Sequence, residues 1–466
     1  MSAKSEGKTG ASIHFLRPRA RHCAAQGIHF AFRIDNHRHI LRAYGADVAR
    51  SAVGELNRFL ADFFGDDGLV VPEPDGRLEV LLWDRALLGE LPLESACEAW
   101  IHSFCAAVAM VPIECEGQLL HLAVSGAWAA AEIESYDGPD AASRAQRALE
   151  RVPFPGEAPG DGDIWSARYR ADMAIAAEVL GAIGTGPLAS SFGAIENRMG
   201  FEQPRHDGQQ VALAWQAVRA AGNGSSILYH ECLIRLINSE GGIHPPTGLL
   251  RALERLGLVR ALDYYILSAV LTELENNPWV TLGANISAQS AQLDGWWQGI
   301  EQRLAANRSV AQRLVIEITG TAAIPSVSVA ANFASQMRSL GCKVALDDFG
   351  AGFTSIRQLL ALKPDIAKID ALFIARAGQS LQERAAFTHL VGLAGALVPT
   401  VIIQGVDNGQ QSQLALEAGG VWQQGHHHDR PSLTRNWRWT SEDTASAAWA
   451  FAKDPPAQSA FVGRPS

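Results

Sequence analysis

The chain has 466 residues, a formal net charge of −10, and 47% hydrophobic against 19% charged residues. Such a length holds two or three domains with sizeable cores. The acidic balance argues against a general nucleic-acid binder, which carries a basic face.

Residues 1–26 read as a flexible tail, polar and basic, without the apolar segment of a secretory signal. No run reaches the 18 apolar residues of a spanning helix; the stretch 100–113 is shorter and is broken by His102 and Ser103. The six cysteines are scattered and form no CxxC pair, so neither a zinc knuckle nor a redox motif is indicated. That usage suits a reducing compartment, and a cytoplasmic location is expected.

A small α/β domain is expected over 27–158. Residues 27–34 are strand-like. Residues 40–64 carry helical spacing through Leu41, Val48, Val53, Leu56, Leu60 and Phe64. A strand at 77–83, a helix at 94–110 and a strand at 119–124 complete a β-α-β-α-β order. The run 136–164 is rich in Pro, Gly, Asp and Ala and marks a linker. Linker character is expected to continue over 159–210, interrupted by a helix at about 165–183 that stops at Gly184-Thr185-Gly186-Pro187.

From 211 to about 440 strands and helices alternate, with strands expected at 211–218, 228–235, 280–286, 314–319, 343–346, 366–369 and 400–404. Repeated βα units suit a parallel barrel or a doubly wound sheet. The polar residues favour the barrel. Glu231, Asn285, Glu317, Asp347 with Asp348, Lys368 and Gln404 lie within or at the ends of successive strands. A barrel gathers such ends around one mouth. The fold class is therefore α/β, with a C-terminal modified (β/α)8 barrel behind a smaller α/β domain and a tail over 441–466.

Oxygen donors of this kind suit Mg²⁺ or Mn²⁺ rather than zinc. Arg235, four residues after Glu231, and Lys368 add cations that suit a phosphate-bearing ligand. Taken alone, Asp347-Asp348 at the end of an apolar run is equally an ordinary turn. The run His426-His427-His428 reads either as an extra metal or base group at the mouth or as a polar loop.

These motifs resemble the EAL family. Glu231-Cys232-Leu233-Ile234-Arg235 resembles its signature, Asn285-Ile286-Ser287 its Asn-(Leu/Ile)-Ser, and Glu317-Ile318-Thr319 its Glu-Ile-Thr. Asp347-Asp348-Phe349-Gly350-Ala351-Gly352-Phe353, Lys368-Ile369-Asp370 and Gln424-Gly425 resemble its later motifs, and Trp215-Gln216-Ala217-Val218 stands at its opening Gln-Pro-(Ile/Val). The resemblance implies a barrel that binds cyclic di-GMP and, in active members, hydrolyses it to pGpG with two Mg²⁺ or Mn²⁺ ions. It implies that Glu231, Asn285, Glu317 and Asp347 hold the first metal, with Asp347 and Asp348 at the second. It implies that Lys368 orients water, with Asp348 taking part in catalysis, and that Arg235, Gln216 and Gln424 meet the ligand.

Two departures stand out. The family's Glu-Gly-Val-Glu is Gln404-Gly405-Val406-Asp407 here, and its Glu-Ile-Thr-Glu ends in Gly320. The first replaces a second-metal ligand and candidate base by a neutral amide; the second removes a brace of the Asp347–Asp348 loop. The second metal site is expected to be weakened. Receptor function with impaired hydrolysis is expected, and a slow metal-dependent phosphodiesterase is the alternative.

The first domain resembles a degenerate GGDEF domain. Arg33 stands for its first metal-binding Asp, Arg77-Leu78 for Gly-Asp, and Leu41 and Arg42 for an Asn-Asp pair; an inhibitory Arg-x-x-Asp is absent at 68–71. No diguanylate cyclase activity is expected. A homodimer, a protein partner of unknown identity and no nucleic acid complete the expectations.

Overall fold

The computed structural model describes residues 26–438 except 74, 84–91, 133–137, 152–161, 185–209, 223–225, 239, 247, 321–322 and 353. The two expected tails, the polar stretch before Gln210 and Phe353 of the turn lie outside the described residues, save Gln26 itself.

The N-terminal half runs β1 (Gln26–Ile34), α1 (His37–Tyr44), α2 (Ala46–Phe64), β2 (Gly68–Pro72), β3 (Arg77–Leu82), α3 (Leu93–Met110), β4 (Ile113–Cys115), β5 (Gln118–Leu120), β6 (Val124–Glu132) and α4 (Gly138–Glu150). Its main sheet has the order β2-β3-β1-β6, antiparallel throughout. The core order is the split β-α-β arrangement of the ferredoxin-like type. Phe30, Phe32, Phe64, Trp100 and Phe104 pack between the sheet and its helices.

Three expectations change here. The single helix over 40–64 is two, because Gly45 has φ +97°, a backbone conformation no helix contains. The strand at 119–124 is a short hairpin followed by the longer β6. That strand is alanine-rich, and alanine carries no strand signal. The linker candidate at 136–164 contains α4, whose Ala141, Ala145 and Leu149 form a small core with Ala31, Ala127 and Ala129. Spacing of four puts those three on one helix face, but alanines give too little hydropathy contrast to show it.

The helix expected at about 165–183 is α5 (Gly162–Gly184). It is a packed element, not a loose connector. Tyr169, Met173, Ala176 and Leu180 are buried, and α5 lies against α1 and against α6 (Leu249–Leu256) of the next half. Arg255 of α6 donates to both oxygens of buried Asp172 at 2.7 and 2.6 Å.

The C-terminal half is a closed barrel of eight strands. They are β7 (Gln210–Ala220), β8 (Ile227–Ile237), β10 (Leu282–Ser287), β11 (Leu314–Thr319), β12 (Lys343–Phe349), β13 (Ile366–Ile369), β14 (Thr400–Ile403) and β15 (Trp422–Gln423). Closure runs through the β8–β10 pairing. Strand β7 is antiparallel to both its neighbours, and every other pair is parallel. The short β9 (Ile243–His244) extends β8 outside the ring. Among the described residues no helix is long and apolar enough to cross a membrane.

The end of β10 is anchored from outside the barrel. Asp263, on α7 (Val259–Asn276), accepts from the Ser287 amide at 2.9 Å and the Ser290 hydroxyl at 2.6 Å. Ser287 donates its own hydroxyl to Glu254 at 2.7 Å. Burial pushes the Asp263 carboxyl up to about 7, against the two donated hydrogen bonds. The folded chain therefore holds a proton that the unfolded chain, with a carboxyl near ~4, has lost. Stability falls as pH rises between those values. Asp263→Asn is expected to raise the thermal midpoint at pH 8 and to change it little at pH 4, checked by melting both proteins across that range. An equal effect at both ends would show that Asp263 is not the titrating group.

Candidate ligand and metal site at the barrel mouth

Strand register brings the site together. Gln216 of β7 faces Glu231 of β8, and Gly283 of β10 is level with Glu231. Asn285 is level with Glu317. Asp347 and Lys368 end adjacent strands, and Gln404 follows β14, its amide on the Ile369 carbonyl at 3.1 Å. Gly283 is needed for this closeness, since a Cβ there would collide with Glu317 and the Tyr229 ring.

The centre of the cluster is an ammonium. Lys368 is 0% exposed, and its Nζ lies 2.8 Å from Glu231 Oε2, 2.5 Å from Glu317 Oε2 and 3.4 Å from Asp347 Oδ1. Amides complete the shell. Asn285 Nδ2 donates to Glu231 Oε1 at 2.6 Å, Gln424 Nε2 to Glu231 Oε2 at 2.6 Å, and Gln404 Nε2 to Asp347 Oδ1 at 2.9 Å. Gln424 also donates to Gln216 Oε1 at 3.3 Å, and Gln216 to the Asp429 carbonyl at 2.9 Å.

One buried cation cannot balance all these carboxylates, and their acidities divide accordingly. Burial resists the charge on Glu231, but the Lys368 ammonium and the donated amides outweigh it and hold that carboxyl low. Burial, helped by the Glu231 charge, pushes Glu317 up to about 8. Burial also raises Asp347. Burial and the Asp347 charge push Asp348 up to about 7. Burial disfavours the Lys368 ammonium too, yet Asp347, Glu231 and Glu317 together raise it well above its ordinary value. Carboxyls raised in this way relieve the crowding by holding protons, which a bound cation would displace.

Whether the side chains fit a divalent ion follows from the same geometry. Glu317 Oε1 is buried without a hydrogen-bond partner, and the surrounding donors are hard oxygens. Glu231, Asn285, Glu317 and Asp347 supply oxygen donors of the kind Mg²⁺ or Mn²⁺ takes. Among the described residues no group of three or more His, Cys, Asp or Glu is arranged to hold a metal ion; Glu231, Glu317 and Asp347 face the Lys368 ammonium instead. Gln404 turns its Nε2 donor toward Asp347, and its Oε1 is buried without a hydrogen-bond partner.

The Asp347–Asp348 turn is held in an uncommon backbone. Asp348 has φ +54°, followed by Gly350 at +95° and Gly352 at +57°. The Thr354 hydroxyl donates to the Asp347 carbonyl at 3.0 Å. Sequence reasoning passed over Thr354, an ordinary residue in a turn. It also passed over Tyr229, two residues before Glu231 on the same inward face, whose fully buried hydroxyl lacks a partner.

The remaining candidates divide. Arg235 is half-buried, donates to the Ile234 carbonyl at 2.7 Å and has no carboxylate partner among the described residues. His427 and His428 pack ring against ring, their centroids 4.9 Å apart, and His426 points elsewhere. His426 faces Asp407 at 3.8 Å, while His428 Nε2 meets Gln423 Oε1 at 2.8 Å. Gln423 is itself tied to Ser412 and Gly420. This is the polar-loop alternative. A cavity of ≈ 1100 Å³ lies between the two halves, lined in part by His102, Trp165, Arg255 and Trp296, and none of the carboxylates of the mouth line it.

Residues 203–431 match the family model described as EAL domain. The chain is 26% identical over 208 residues to "Cyclic di-GMP phosphodiesterase PdeF" of Escherichia coli, a match covering 44% of this chain and 28% of that protein. It is 25% identical over 222 residues to "Cyclic di-GMP phosphodiesterase RocR" of Pseudomonas aeruginosa, covering 47% of this chain and 57% of that one. The matches thus span between about a quarter and three-fifths of these relatives. Among solved structures, the "PaMucR Phosphodiesterase, c-di-GMP complex" aligns at TM-score 0.43 and 22% identity over 49% of this chain and 94% of that one. The "Vibrio cholerae LapD S helix-GGDEF-EAL (apo)" chain aligns at TM-score 0.43 and 16% identity over 87% and 89%.

Proposed function

With residues 203–431 an EAL domain, we propose that the barrel is a cyclic di-GMP receptor whose hydrolytic chemistry is impaired. The observation that carries this reading is the Gln404 side chain, whose Nε2 donates to Asp347 Oδ1 at 2.9 Å. Hydrolytic members of the family resemble this chain but hold a carboxylate there. An amide cannot take a proton at neutral pH, and loss of a general base typically costs ~10²–10⁴-fold in rate. The relatives named above as cyclic di-GMP phosphodiesterases support the ligand assignment.

A divalent cation held by Glu231, Asn285, Glu317 and Asp347 supplies Lewis-acid polarisation of a phosphodiester when bound. The chain's own groups do the rest. Arg235 presents a guanidinium free to hold phosphate oxygens. Gln216 of β7 and Gln424, which follows β15, border the ligand with their own amides engaged by Asp429, Glu231 and each other. Lys368 keeps its ammonium against Glu231, Glu317 and Asp347 and partly offsets their charge. The N-terminal half fits a degenerate GGDEF-like domain without cyclase chemistry. Its Arg33 donates to Asp35 at 2.7 Å, a guanidinium where that family places a metal-binding carboxylate. The domain division at 27–158 and 211–440, a homodimer and an unnamed protein partner belong to the same proposal.

The test follows binding and pGpG formation together, with Mg²⁺ or Mn²⁺ present. Binding without turnover is expected, and turnover at ordinary enzyme rates would sink the receptor reading. Slow turnover would favour the alternative of a weak phosphodiesterase, which the retained Glu231, Asn285, Glu317, Asp347 and Lys368 set favours. Arg235→Ala is expected to weaken cyclic di-GMP binding ~10–100-fold, the range for a lost charged hydrogen bond. Calorimetric titration checks it, and an unchanged affinity would remove Arg235 from the ligand site.

A further inference from the structure

We propose that Thr354 is the positioning residue of the Asp347–Asp348 turn, replacing a brace that position 320 does not supply. The inference rests on the reading of Asp347 and Asp348 as the cation-facing side of the mouth.

The turn needs an outside hold. Pairing between β12 and β13 shifts register between Leu346 and Phe349, so the two aspartates sit in an irregularity between ladder partners. Asp348 takes a left-handed backbone conformation, φ +54°, that L residues disfavour. Left alone, such a turn would relax toward ordinary backbone and swing both carboxylates.

The hold comes from Thr354. Its side chain is buried, and its hydroxyl donates to the Asp347 carbonyl at 3.0 Å. Backbone bonds Ala351 N to Asp348 O at 3.1 Å and Thr354 N to Ala351 O at 3.3 Å set the hydroxyl in place. Gly320 makes room for it. A Cβ built at 320 would collide with the Thr354 hydroxyl and crowd Asp348 Cβ at 3.2 Å and the Asp347 carbonyl at 3.3 Å. Any side chain at 320 and the present Thr354 rotamer exclude each other. The glycine that reads as a lost brace in the sequence is therefore the space that a second brace uses.

Thr354→Val keeps the shape and removes the hydroxyl, leaving the Asp347 carbonyl without its donor. Thr354→Ser keeps the donor. Gly320→Ala keeps Thr354 but pushes its hydroxyl away. Amide hydrogen exchange over the turn is measured on the metal-free full chain, with thermal midpoints as the folding control. Thr354→Val and Gly320→Ala are expected to speed exchange in the turn about five- to tenfold, and Thr354→Ser to restore it. Mn²⁺ affinity, read by titration of the free ion's spin resonance, is expected to fall about tenfold in the first two and to recover in the serine variant. Unchanged exchange in Thr354→Val would overturn the proposal, as would a serine variant no better than valine. A wild-type chain that binds neither Mn²⁺ nor cyclic di-GMP would overturn the functional reading, and the exchange result would still decide the brace.

Discussion

Lys368→Met is expected to lower the thermal midpoint of the metal-free barrel by roughly 10 °C, and added Mn²⁺ is expected to restore much of it. The side chain is 0% exposed and its ammonium contacts Glu231, Glu317 and Asp347. Removing one partner from a buried ionic cluster leaves uncompensated charge and costs ~3–5 kcal/mol. For a domain of this size each kcal/mol moves the midpoint by about 2–4 °C. Methionine preserves length and apolar volume, so lost packing contributes little. The carboxylates can escape part of the penalty by taking up protons. Glu317 already sits at about 8 with the ammonium present, and without it the carboxylates rise further. The deficit is therefore expected to be smaller at pH 5 than at pH 8. A divalent ion replaces the missing charge, and at 100 times its dissociation constant it returns roughly 3 kcal/mol. If Met fails to fold, Lys368→Gln keeps one donor and reports the same Mn²⁺-dependent rise. A midpoint in EDTA equal to that of the unaltered chain would show that the ammonium does not hold these carboxylates.

That ammonium marks the boundary of what the sequence discloses. The barrel itself is plain in it. Leu314–Thr319 and Ile366–Ile369 are short β-branched runs with sharp polar ends, and their bounds match the expected strands to the residue. Glu231, Asn285, Glu317, Asp347, Lys368 and Gln404 were legible as one mouth because parallel strands align their ends. The direction in which each side chain reaches is not written in spacing. Lys368 reads as a residue at the rim, yet it occupies the middle of the cluster, and only closure of the ring makes that geometry. Thr354 is hidden for a related reason. It lies seven residues after Asp347, and its bond to that carbonyl exists only because the intervening turn bends back. The alanine-lined packing of β6 and α4 is hidden by composition, since alanine buries well without contrasting with its neighbours. Elements with strong patterning were found, and contacts made by small or ordinary residues across a turn were not.

Gln404→Glu is expected to act in opposite directions with and without metal. In the metal-free chain the amide donates to Asp347 Oδ1 at 2.9 Å. A carboxylate in its place turns that contact into a repulsion beside Asp347 and Asp348, whose own acidities burial already weakens. The cost is that of a lost hydrogen bond with an unpaired buried acceptor, about 1–3 kcal/mol, and the midpoint in EDTA falls. With Mn²⁺ present the same carboxylate is expected to act as an anionic ligand beside Asp347 and Asp348 and to raise Mn²⁺ affinity. It also becomes a group able to take a proton, so pGpG formation is expected to rise ~10²–10⁴-fold over the unaltered chain. Reversal of sign is the diagnostic feature, because general damage to the fold lowers stability under both conditions. Stability in EDTA and in Mn²⁺ is read by melting, and turnover by product formation with cyclic di-GMP. A loss in EDTA with a gain in Mn²⁺ and no gain in turnover moves the catalytic lesion away from Gln404. Gains in both locate it at Gln404. No reversal at all would mean that the amide's bond to Asp347 does not set the charge balance of the mouth.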